Sequence, residues 1–162
     1  MQGTMSVGSG PFAGLVPMDA SYAVLPIAQA FNWSECLVSV ERGEWYVVSF
    51  RSVRRLEADD ALLEEFDRRA FEEASGHSGL SCYFMGELDD ERRCLSMCVW
   101  EDRVRAGEAA RLPEHVAAVA VAAATYTSYV LERFRLTKRD GIVELVEIEP
   151  PQRSHAVDGS TP

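Results

Sequence analysis

Between Trp45 and Ile148 the hydrophobic pattern passes from a strand repeat to a helix repeat and back, twice, and this order limits the possible folds more than any other feature. Trp45 to Val53 is rich in aromatic and β-branched residues and reads as a strand. Asp59 or Asp60 then caps a helix in which Leu62, Leu63, Phe66, Ala70 and Ala74 recur at three- and four-residue steps. Glu64, Glu65, Asp67, Arg68, Arg69, Glu72 and Glu73 fall on its outer, solvated face, and Gly76 or Gly79 ends it. Leu80 to Leu88 and Arg93 to Trp100 read as a hairpin about Asp89-Asp90-Glu91. A helical region starts at Glu101 and breaks near Pro113, a residue suited to the first turn of a second helix running to about Tyr126. Thr127 to Thr137 and Ile142 to Ile148 are strands joined by a turn with the hairpin pair Asp140-Gly141. The order β-α-β-β-α-β, plus one strand, predicts an α+β chain of the ferredoxin-like kind. Both helices then lie on one face of an antiparallel sheet and leave the other face bare. Apolar residues on both strand faces make a homodimer the expected way to cover it.

Outside this core the pattern is weak. Residues 1–30 are rich in Gly, Ser, Pro and Ala, with scattered Phe12, Leu15, Val16, Tyr22, Leu25 and Ile27. They read as an extended arm that orders only by packing on the domain or on a second subunit. Asn32 or Ser34 begins a short helix that runs through Val40 and is closed by Gly43. The division expected is an arm over 1–30, a domain over 31–150 and a loose tail over 151–162.

Charge and cysteine content exclude several roles. Sixteen basic against 26 acidic residues give a formal charge of -10. A surface this acidic repels phosphate backbones and anionic lipid, which argues against nucleic-acid and membrane partners. No Lys or Arg precedes Arg42, as a secretory or mitochondrial leader would require, and the apolar stretch Val116–Tyr126 is shorter than the ~20 residues that span a bilayer. A cytoplasmic protein is expected. Cys36, Cys82, Cys94 and Cys98 form no metal-ligand spacing. Cys94 and Cys98 are about 13 Å apart on a strand, too far for a disulfide or one zinc ion, so buried free thiols are expected. Phosphate-binding loops, GxGxxG, HExxH and GxSxG are absent.

The strand ending Cys98-Val99-Trp100-Glu101 and the following Leu112-Pro113-Glu114-His115, set in this element order, resemble the dimeric α+β barrel superfamily, and within it the antibiotic-biosynthesis monooxygenase-like group. Trp45–Arg55, Ser81–Trp100 and Tyr126–Leu136 resemble an uncharacterised UPF0643-like group of bacterial and fungal proteins. The resemblance covers about residues 31–150. It implies a pocket between sheet and helices and a range of reactions, among them cofactor-free oxygenation of polyketide phenols, cyclisation and haem breakdown.

The residues offer particular candidates for such chemistry. His115 begins the second helix, where it can serve as a general base or make a structural hydrogen bond. Arg51, Arg133 and Arg135 lie within strands, and Glu132, Glu144 and Glu147 can pair with them. Either these are cross-strand ion pairs, or an arginine such as Arg51 polarises a substrate enol or carboxylate while a buried glutamate, Glu132, accepts a proton. Tyr83, Tyr126, Tyr129 and Trp100 supply core or a wall for a flat ligand. Cys94, Ser96, Cys98 and Trp100 share one strand face, the more polar one, and are expected to border the ligand space. The reading favoured is a homodimeric enzyme using His115, Arg51 and Glu132 in catalysis on a hydrophobic, oxygenated small molecule of polyketide or terpenoid type, with no cofactor. It would be a cyclase, isomerase or oxygenase, and Tyr83, Trp100, Ser96, Cys98, Tyr126 and Tyr129 would contact substrate. A non-catalytic hydrophobic-ligand-binding or accessory dimer and a haem-binding protein are the alternatives.

Overall fold

A computed structural model describes residues 4–155. Strands β1 (Met5–Gly8), β2 (Gly43–Arg54), β3 (Leu80–Met85), β4 (Arg93–Trp100), β5 (Tyr126–Arg139), β6 (Ile142–Glu147) and β7 (Gln152–His155) form one antiparallel sheet. Its order is β1-β3-β4-β2-β5-β6, with β7 also paired to β5. Helices α3 (Asp60–Ser75) and α5 (Pro113–Thr125) follow β2 and β4, so the core is the ferredoxin-like βαββαβ arrangement. Short helices α1 (Ile27–Ala30) and α2 (Trp33–Cys36) precede it, and α4 (Arg103–Ala109) lies before α5. Among the described residues no helix is long and apolar enough to cross a membrane.

Local chemistry sets these boundaries. The Asp59 carboxylate accepts from Leu62 N at 3.0 Å and starts α3. Asp102 accepts from Arg105 N at 2.9 Å and starts α4, and Pro113 opens α5. Asp140 and Gly141, at φ 51° and 78°, make the β5–β6 turn with the positive φ pair that suits right-twisted strands.

The second face of the sheet is not bare. Residues 4–40 of the chain itself fill it, and the reason for expecting a homodimer goes with the bare face. Phe12, Leu15, Ile27, Ala30, Phe31, Trp33 and Leu37 are buried against Val47, Cys82, Phe84, Leu95, Met97, Val99 and Leu136. Phe31 and Phe84 meet edge to face at 4.9 Å, and Phe12 and Trp45 at 5.2 Å. Each fully buried large apolar side chain is worth about 1.5–3 kcal/mol before entropy. Polar groups set the arm's path. Asn32 Oδ1 accepts from Val16 N at 2.8 Å, and its Nδ2 donates to Gly14 O at 3.1 Å. Trp33 Nε1 donates to Ile27 O at 2.8 Å. At Gly86 the arm comes so close that a Cβ would lie 2.6 Å from the Tyr22 hydroxyl.

Two expected boundaries move. The arm continues past residue 30 to include α2, which ends at Cys36 and not Val40. The tail expected to be loose begins with β7, whose residues 152–155 pair with Ser128–Leu131; residues 156–162 lie outside those described.

Arg51 ties the arm to the sheet. Its Nη1 and Nη2 donate to Ala23 O and Leu25 O at 2.5 and 2.6 Å, and its Nε donates to Glu132 at 2.9 Å. Arg51→Met removes three donors and strands the Glu132 carboxylate, so urea unfolding is expected to show a loss of about 2–4 kcal/mol. Limited proteolysis of that variant should cut first within residues 15–30. An unchanged midpoint would contradict the role of Arg51 as the arm's tether.

Candidate functional site

Alternation along the strands separates two environments. Register places Tyr46, Val48, Phe50, Ser52 of β2 beside Trp100, Cys98, Ser96 and Cys94 of β4, all on the helix side. Val47, Ser49 and Arg51 face the arm. On the arm side Cys82, Phe84, Leu95, Met97 and Val99 are sealed. Their neighbours on the helix side, Tyr83, Ser96, Cys98, Val48 and Phe50, keep part of their surface. The helix side is closed at its two ends, by Tyr46 and Trp100 under α4 and by Ser52, Arg54, Cys94 and Tyr126 near the start of α3. Its partly covered middle, floored by Val48, Phe50, Tyr83, Ser96 and Cys98, is called the recess below. The helices above it are lightly anchored, with Leu63 the buried residue of α3 and Thr125 that of α5.

A bulge brings Tyr126 into this layer. Val53 pairs with Ser128 but Arg54 pairs with Tyr126, so Thr127 is the extra residue and parity reverses. Tyr126 and Tyr129 consequently both meet the Phe50 ring, at 5.5 and 5.3 Å. Tyr83 stacks on Phe71 of α3 at 4.7 Å.

The groups of the recess are electrostatically unusual. Burial pushes the Asp67 carboxyl up to about 6; Glu64 adds to this and the Arg54 guanidinium opposes it. Burial also holds Tyr83 and Tyr126 well above an ordinary phenol, with the negative charge of Asp67 contributing. Burial likewise lifts Cys98 to about 12 and Cys94 to about 11. At neutral pH the tyrosines are therefore hydroxyl donors and the cysteines protonated thiols, poor nucleophiles. Of these groups Asp67, Tyr83 and Cys98 keep part of their surface, whereas Cys94 and Tyr126 are buried.

The other candidates lie elsewhere. Arg51 and Glu132 do form the expected pair, and Ser49 Oγ adds a 2.6 Å bond to Glu132, but they lie on the arm side. Tyr83, Ser96, Cys98, Trp100, Tyr126 and Tyr129 share the helix side. The sheet therefore stands between Arg51–Glu132 and the aromatic group. His115 sits exposed at the third position of α5. The protein around its ring lowers its basicity, and Glu73, whose carboxylate also accepts from Glu114 N at 2.8 Å, opposes that effect. His115, Arg51 and Glu132 are thus not assembled into one site. Trp100 is core, packed with Tyr46 and Ala106, and closes one end of the recess.

Two residues of the recess escaped the sequence reading. Asp67 was expected on the outer face of α3, yet it points inward. Its position four residues after Leu63 and three before Ala70 puts it within the apolar stripe, and an acid in such a stripe was the available signal. Arg54, two residues beyond Ser52 on the same face, carries the other signal, a guanidinium at a buried strand position. Among the described residues no group of three or more His, Cys, Asp or Glu is placed to hold a metal ion. A cavity of about 350 Å³ lies outside the recess, an open groove on the β5–β6 hairpin lined by Arg135, Arg139, Asp140 and Glu144. Its charges largely cancel and it holds none of the shifted groups.

Residues 11–150 match the family described as PB2B2.08-like. A search of curated proteins finds no match. Among solved structures the chain is similar to protein SO0527 from Shewanella oneidensis, at 14% identity and a TM-score of 0.52, covering 58% of this chain and 92% of that one. It is also similar to SnoaB, a cofactor-independent oxygenase from Streptomyces nogalater (19% identity, TM-score 0.46, 60% and 95% covered), and to Rv0793 from Mycobacterium tuberculosis (17%, 0.47, 65% and 94%). At these identities the likeness concerns the fold alone.

The raised pKa of Asp67 makes stability depend on pH. The folded protein holds the Asp67 proton up to about pH 6, whereas an unfolded aspartate releases it near 3.8. Ionising Asp67 therefore costs folding free energy that grows as pH rises from about 4 to 6 and is complete above 6. Asp67→Asn should stabilise the protein at pH 7.5 by roughly 1–2 kcal/mol, allowing for water at the site. The gain should fade as the denaturation series is taken down to pH 4. A variant less stable than the parent at pH 7.5 would show that Asp67 is not desolvated.

Proposed function

The chain belongs to the PB2B2.08-like family, and we propose that it is a small-molecule enzyme that holds a hydrophobic, oxygenated intermediate of polyketide or terpenoid type in the helix-side recess. The observation that carries this reading is the Asp67 carboxyl, poised near pH 6 and within electrostatic reach of the Tyr83 and Tyr126 phenols, over a floor that is only partly covered. A purely structural core would fill that space with apolar side chains, because a buried carboxyl costs stability unless something is gained by it.

In this reaction Asp67 is the proton acceptor. At neutral pH it is mostly ionised, yet basic enough to take a proton from an enolisable carbon or a phenol. Tyr83 and Tyr126 stay protonated and donate to the oxygen on which negative charge develops. Phe50, Phe71 and Tyr129 hold the flat face of the substrate. The enolate so formed either closes on an internal carbonyl, as in a cyclase, or reacts with dioxygen. In the oxygenase case one oxygen atom enters the substrate, two hydrogens leave it and the second oxygen departs as water. Cofactor independence, a cytoplasmic location and the participation of His115 belong to the same proposal. His115, outside the recess at the start of α5, would serve in proton exchange with solvent.

The test is dioxygen uptake and product mass measured with a panel of enolisable polycyclic phenols in metal-free buffer. Turnover is expected to rise as pH passes through about 6. It should fall about 10²–10⁴-fold in Asp67→Asn and by a smaller factor in Tyr83→Phe. Turnover that survives Asp67→Asn contradicts the assignment, and binding without turnover leaves a ligand-binding protein.

A further inference from the structure

Arg54 ends β2 with its side chain 5% exposed. Its Nη1 donates to Asp60 Oδ1 at 3.1 Å. Asp60 is already held by Arg92, whose Nη2 donates to its two oxygens at 2.9 and 3.0 Å. Two guanidiniums thus share one carboxylate. The Arg54 Nε–H is buried and has no hydrogen-bond partner among the described residues, with the Cys94 thiol lying beside the guanidinium. An unmade bond on a charged donor is among the most costly defects a protein core can hold. The remaining neighbours do not repay it. Cys94, beside Arg54, stays a neutral thiol, and Tyr126, its β5 partner, stays a neutral phenol. Asp67 feels the Arg54 charge, but no hydrogen bond joins them among the described residues.

We infer that Arg54 anchors an anionic oxygen of the ligand, a carboxylate or an ionised enol or phenol, so that the recess selects acidic aromatic molecules over neutral ones of the same shape. This rests on the recess being the ligand site. Arg54 closes the end of the recess next to Tyr126 and Cys94, and Asp60 and Arg92 fix its Nη1 side. Nε is a buried donor left without a partner among the described residues. A planar guanidinium held at one edge and free at another is suited to an acid oxygen, which gains a charge-assisted bond that a neutral amide cannot match.

The probes are 1-naphthoate and its neutral analogue 1-naphthamide, each titrated into the ¹⁵N-labelled full chain at pH 6.5. The Arg54 Nε–H resonance, assigned through side-chain correlations in the unaltered protein, is expected to shift with naphthoate and not with naphthamide. Naphthoate should bind about tenfold more tightly, the difference a charge-assisted bond supplies. Arg54→Lys should bring the two affinities to within about twofold. The wild-type resonance decides the matter even if that variant folds poorly. If both probes move the backbone amides of Tyr83, Ser96 and Cys98 equally while the Arg54 signal stays fixed, the anchor is overturned and the recess stands. If neither probe moves those amides, the recess reading falls as well.

Discussion

The structure depends on the packing of the N-terminal arm against the sheet. A ferredoxin-like sheet with both helices on one side has an apolar face left over, and water cannot be left against it. Here residues 4–40 cover that face with six large buried side chains, and Arg51 uses all three of its nitrogens to hold the arm and Glu132 in place. An arginine in the middle of a sheet is normally a liability. This one satisfies two carbonyls of a segment with almost no regular structure of its own, which is how a Gly-, Ser- and Pro-rich stretch acquires a defined path.

Sealing one face frees the other. The arm side supplies the tight packing, with Phe84, Leu95, Val99 and Leu136 fully enclosed. The helix side, with α5 built mostly from alanine and valine and Thr125 its buried residue, contributes less and tolerates a desolvated carboxyl and an unsatisfied guanidinium. Such groups are costly and are typical of functional sites, where stability is exchanged for reactivity. The division also separates residues by role. Arg51 and Glu132 pair on the arm side, where Arg51 also holds two arm carbonyls, while Asp67, Tyr83 and Tyr126 lie on the helix side.

Most of the framework was legible because it depends on local chemistry. The β4 limits, Arg93–Trp100, coincide with those expected from alternation, the α3 cap is Asp59, and Asp140-Gly141 makes the hairpin turn. The polar face of β4 was also legible, since alternation alone puts Cys94, Ser96, Cys98 and Trp100 together. What escaped depends on contacts distant in sequence. No periodicity reveals that the arm folds back over β2, β3 and β4, because its residues are spaced to fit the sheet and not a helix or strand of their own. The bulge at Thr127 reverses parity and puts Tyr126 beside Tyr129, which simple alternation forbids. Asp67 was overlooked because it sits among charged neighbours, although its spacing from Leu63 and Ala70 marks it as inward.

The account turns on one face being closed and the other open. Xenon occupies small apolar spaces in protein crystals without needing a known substrate. A crystal of the full chain pressurised with xenon should show the gas between α3 and the sheet, bordered by Phe50, Tyr83 and Cys98, and none between the arm and the sheet. Xenon under the arm, or none above Tyr83 and Cys98, would contradict the assignment of the two faces.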